Sequence, residues 1–145
     1  MRGRFARMGK RIVAVLLGIV AASVVIFALE SVGHKVYAPP GGLDFKNPEA
    51  VRAFIASMPR GAFALVLLGY ALGSLVGGVT ATLISGRTSS RAAIAVGAVL
   101  TILGLINLVS VPHPMWFAVT SLLLYIPCAW LGSRILLSGA TSRNV

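Results

Sequence analysis

The chain has 145 residues, of which 57% are hydrophobic and only 11% charged, too few charges to cover a water-soluble domain of this size. Its net charge of +10 comes from 13 Lys and Arg against 3 Asp and Glu. Those cations lie mostly singly between apolar runs, with no aromatic-rich basic groove or nucleic-acid motif, so nucleic acid is not an expected partner.

The remaining class is an all-α membrane protein: one transmembrane domain, 1–145, with four membrane-crossing helices and a short amphipathic helix in the first outer loop. Segment one holds 18 uncharged residues, 12–29, about 27 Å of helix, and extends to 34 if the helix continues. It follows Arg2, Arg4, Arg7, Lys10 and Arg11. A basic start before an apolar stretch also describes a signal peptide, but this stretch is long and no convincing A-x-A site follows, so an uncleaved helix is expected. The loop after it contains a stiff turn region, Tyr37-Ala-Pro-Pro-Gly-Gly42. Asn47-Pro48-Glu49 then has the features of a helix start: an N-capping side chain, Pro in the first turn and an acid near the positive dipole end. Val51, Phe54, Ile55 and Met58 follow at i, i+3, i+4 and i+7, one apolar stripe over 48–58. Such a helix lies on the membrane surface or caps the bundle.

Segments two to four fall at 62–85, 92–111 and 115–137. Pro127 interrupts the last, where it leaves the Leu123 carbonyl without its helical donor and predicts a kink. Cys128, the sole cysteine, has no intrachain disulfide partner and reads as a small packing residue. The connections carry the orientation signal. With the N-terminus in the cytoplasm, its five cations are joined there by Arg87, Arg91, Arg134 and Arg143. Lys35, Lys46, Arg52 and Arg60 lie outside. Nine against four predicts a multi-pass protein of a bacterial inner (plasma) membrane with both termini cytoplasmic. The basic N-terminus is expected to attract anionic lipid headgroups, so the lipid bilayer is the first partner.

Segment two carries Gly69, Gly73 and Gly77 at four-residue spacing, continued by Ala81 and Ser85. Segment one has Ala14, Gly18 and Ala22, and segment three has Ala93, Gly97 and Thr101, with Gly104 beyond. In lipid, helices associate through close backbone approach, which small side chains permit. The neighbour of this GxxxG groove is either another helix of the chain or a second copy in a homo-oligomer.

Polar residues inside membrane segments are the natural places to seek function. Glu30 lies nineteen residues past Arg11, about 28 Å along the helix, and Asn107 sixteen past Arg91, about 24 Å. His34 is one turn beyond Glu30, and His113 sits in the outer turn. Glu30, His34, Asn107 and His113 are therefore expected near the outer membrane boundary, with Tyr37 and Trp116 nearby. A purely structural reading makes Glu30 and His34 a hydrogen-bonded i, i+4 pair, Asn107 interhelical glue, and Tyr37 and Trp116 interfacial aromatics. In a ligand-binding or proton-linked reading, the carboxylate and the imidazoles exchange a proton with a bound solute or lipid headgroup. In an enzymatic reading, Glu30 is a base and His34 or His113 an acid toward a lipid-like substrate. Glu30, His34 and His113 are suitable metal-ligand types, but no H-E-x-x-H or comparable spacing accompanies them, so neither metal nor cofactor is expected.

In plan, with four helices and an acid in the first, the chain is similar to the small multidrug resistance exporters. It departs from them in placing Glu30 at the helix end and in its long first loop. The membrane-bound glutathione-transferase-like family shares only the four-helix size. Glu30-x-x-x-His34-x-x-Tyr37-x-Pro-Pro40, the segment-two glycines, Asn107 and Pro112-His113-Pro114-x-Trp116 resemble a group of small bacterial four-helix inner-membrane proteins with no assigned activity. That resemblance implies the fold and no reaction. The expected function is an outward-facing polar site for a small solute or lipid headgroup, as a transport-related subunit or alone. A membrane enzyme and a ligand-free scaffold are the alternatives.

Overall fold

A computed structural model describes residues 2–44, 46–87 and 89–141, with side chains over residues 7–138 outside the two gaps. The side chains of Arg2 and Arg4, and all of Arg143, lie outside the described residues. The described chain forms five helices: α1 (Arg2–Val36), α2 (Pro48–Ser57), α3 (Arg60–Ser85), α4 (Arg91–Ser110) and α5 (Met115–Thr141). No strand occurs among the described residues. Four of the helices are long and apolar enough to cross a membrane, consistent with a multi-pass membrane protein.

Helix α1 begins ten residues before the expected start at 12. Once the apolar stretch is helical, each added residue gains a hydrogen bond without the cost of a new nucleus. The basic N-terminal residues, with no proline among them, continue it. Its far end runs through His34, and the Tyr37 amide still donates to the Gly33 carbonyl at 2.8 Å. Helix α2 starts where Asn47 accepts from the Glu49 and Ala50 amides at 3.0 and 3.4 Å, with Pro48 in the first turn. Pro59 separates α2 from α3. Helix α3 ends at Gly86, whose φ of 99° is left-handed, a conformation that glycine adopts without strain. Helix α5 continues through Pro127.

The long helices alternate in direction. Helix α3 packs against α1, α4 and α5, while α1 and α5 do not touch. Gly77 lies against Gly18, Gly73 against Ala22 and Ile26, and Gly69 against Leu29, so α1 and α3 run antiparallel. Gly78 meets the Ala129 backbone and Gly132 the Leu75 carbonyl, bringing α3 and α5 close. Gly97 lies against Tyr125, Ile126 and Ala129, which joins α4 to α5. The Ser90 and Ser133 hydroxyls hydrogen-bond at 2.7 Å across that pair. The core combines Ala22, Ala81, Ala92, Val96 and Leu100 with a larger group, Phe63, Tyr70, Phe117 and Tyr125. Large apolar side chains, including Val24, Phe27, Ile106, Val109 and Leu123, remain exposed on the outside of the bundle.

Candidate functional site

At the end of the bundle that carries α2, one cavity of about 540 Å³ opens among α1, α2, α3, α4 and the α4–α5 turn. Its size falls in the range of small-molecule sites, roughly 300–1,000 Å³. Glu30, His34, Tyr37, Asn107 and His113 all line it. Trp116 does not line it. At the start of α5, its ring packs edge-on against Phe63 and Phe117, with centroids at 5.7 and 6.1 Å. Position along a helix sets a residue's depth, but rotation about the axis sets its direction.

Glu30 is half-buried near the C-terminal end of α1, and His34 follows one turn later. The expected pairing takes a particular form. His34 Nδ1 meets the Glu30 backbone carbonyl at 2.9 Å, not the carboxylate. A carbonyl only accepts, so Nδ1 carries the proton and the bare nitrogen of a neutral ring is Nε2. His113 has the same arrangement: Nδ1 donates to the Val111 carbonyl at 2.7 Å. Its ring also stacks on Phe117, with centroids 4.9 Å apart and an interplanar angle of 15°. Both imidazoles are thus held by backbone, and both line the cavity.

The floor of the site includes a residue that sequence reasoning missed. Together with Asn107 of α4, Tyr70 of α3 lines the cavity. Its ring lies 5.3 Å from that of Tyr125. A signal was present: Tyr70 is ten residues past Arg60 and Tyr125 ten past Met115. Both therefore lie about 15 Å from the same end of the bundle. Gly104 gives the Tyr125 ring its space, since a Cβ there would stand 2.8 Å from the phenol oxygen.

Helix α2 forms the other wall. Val51, Phe54, Ile55 and Met58, the apolar stripe of the sequence, line the cavity, while Arg52, Ala53, Ala56 and Ser57 are exposed. Ile55 and Met58 also pack against the core cluster. Tyr37 completes the rim, with its hydroxyl 2.7 Å from where a Cβ on Gly61 would stand. Among the described residues, no group of three or more His, Cys, Asp or Glu side chains is placed to hold a metal ion.

Comparison with protein-family models, curated proteins and solved structures finds no match for the chain. The cavity itself is therefore the guide to function.

Proposed function

We propose that this is an inner-membrane protein that binds a small amphiphile in the cavity beneath α2, facing the outside of the cell, as one component of a transport process. The orientation follows from cation placement: Lys10, Arg11, Arg87, Arg91 and Arg134 lie at the end opposite α2, the side expected to be cytoplasmic. In that frame α2 lies at the outer surface, with its stripe turned to the cavity and its polar side to water. The glycines of α3 serve as the close-packing face for α1 within one chain.

The observation that carries this reading is a single cavity with two chemistries. One side presents a carboxylate, two backbone-anchored imidazoles, an amide and phenol hydroxyls, and the other the Val51–Met58 stripe. Polar groups that served only to tie helices together would be consumed by one another. Here the ring-to-backbone bonds of His34 and His113 leave Nε2 and the Glu30 carboxylate available for a guest.

Native mass spectrometry of the chain in lipid nanodiscs tests it, with dodecylamine, dodecanol and dodecanoate as probes. At least one is expected to bind one-to-one. Ile55→Trp, which fills the cavity from α2, should weaken that binding about tenfold or more. Failure of all three to bind, or binding indifferent to Ile55→Trp, would overturn the reading.

A further inference from the structure

We infer that the cavity selects a cationic amphiphile, a protonated amine on an apolar body, over an anionic or neutral one. This rests on the reading of the cavity as a binding site. It follows from the balance of donors and acceptors around the wall. Glu30 is an acidic side chain, and it lines the cavity. His34 and His113 each spend Nδ1–H on a backbone carbonyl, so the neutral rings offer Nε2 as an acceptor. Asn107, Tyr37 and Tyr70 can each accept as well as donate. Among the described residues no Lys or Arg lines the cavity. Lys35, Arg52 and Arg60 stand at the same end, exposed and outside the lining.

An ammonium group has three N–H donors and no acceptor, so it matches a wall rich in acceptors. It also neutralises the Glu30 carboxylate in a place partly removed from water, where opposite charges attract more strongly than in bulk. An anion in the same position would face Glu30 with no lining cation to offset the repulsion. The ligand's apolar body would then lie along Val51, Phe54 and Ile55, which face the polar wall across the cavity.

The test uses the same three twelve-carbon probes on the full chain in nanodiscs, so that only the head group varies. Dodecylamine should bind about 10- to 100-fold more tightly than dodecanol, the range of a charge-assisted hydrogen bond, and dodecanoate more weakly than either. Glu30→Gln should erase the preference for the amine over dodecanol. Asn107→Lys adds a cation to the lining that offsets the Glu30 charge and should remove the amine's advantage over dodecanol and dodecanoate, which keeps the test decisive if Glu30→Gln does not fold. If dodecanoate or dodecanol binds wild type as tightly as the amine, and Ile55→Trp still abolishes binding, the cavity stands and the selectivity inference falls. If no probe responds to Ile55→Trp, the site reading itself falls.

Discussion

Replacing Gly77 by alanine tests the close packing of α1, which carries Glu30, on α3. A Cβ at Gly77 would stand 2.8 Å from the Gly18 carbonyl oxygen, 3.0 Å from Ala22 Cβ and 3.1 Å from Val96 Cγ1. The first two neighbours are backbone and a methyl fixed to it, so no rotamer change relieves the contact, and α1 must move away from α3. Overpacking of this kind costs about 1–3 kcal/mol. Alanine also returns about 0.5–1 kcal/mol through helix preference. The net expectation is a loss of up to about 2.5 kcal/mol, and of about 1–3 kcal/mol relative to alanine at a glycine with open space around it. Gly9 is the control, because a Cβ there meets nothing within 4 Å, and Gly9→Ala should be neutral or slightly stabilising. Reversible unfolding in mixed micelles, followed by the fluorescence of Trp116 and Trp130, measures both. If Gly77→Ala proves as stable as Gly9→Ala, α1 and α3 do not approach through Gly18 and Gly77, and the geometry that places Glu30 is wrong.

Ser74 tests the interior of α3. Its hydroxyl is fully buried with no hydrogen-bond partner, so Ser74→Ala removes a desolvated polar atom and should stabilise by about 1 kcal/mol; a loss of similar size would reveal a partner. Orientation is read with single cysteines in a Cys128→Ser background: a membrane-impermeant maleimide should label Lys46→Cys in intact cells and Arg87→Cys only after permeabilisation. The opposite pattern would invert the chain and place the cavity in the cytoplasm.

The four long helices were legible because crossing hydrocarbon requires a length that four apolar runs reach. Helix α2 was legible because Asn47 and Pro48 each supply what a helix start lacks: an acceptor for orphan amides, and a residue with no amide to satisfy. The first ten residues of α1 were not, because arginines and glycines carry no apolar period and become helical only by extension of the apolar stretch beginning at Ile12. The site divides in the same way. Counting 1.5 Å per residue puts Glu30, His34, Asn107 and His113 at one level, but it cannot rotate a helix. Trp116 therefore belongs to the Phe63–Phe117 cluster rather than the lining, and Tyr70 was hidden as one more aromatic in an apolar run. The stripe of α2 marked one face without saying whether that face met lipid or the bundle.

The cavity and the tight packing have a common cause in the distribution of side-chain size along α3. From residue 73 to 82 its buried positions are Gly73, Ser74, Gly77, Gly78, Ala81 and Thr82, which let the backbones of α1 and α5 approach closely. Toward the α2 end its buried residues include Phe63 and Tyr70, with Phe117 and Tyr125 facing them from α5. Distance between helix axes follows the side chains at the contact, so one half of the bundle is drawn together and the other held apart. Large rings that hold helices apart do not fill the space evenly, and what remains lies beside them, under α2. Tyr70 is both a wedge and a wall: its ring packs against Phe117 and Tyr125, and the residue lines the cavity. The polar groups of the lining border that space, and the small residues of α3 lie beyond it toward the other end.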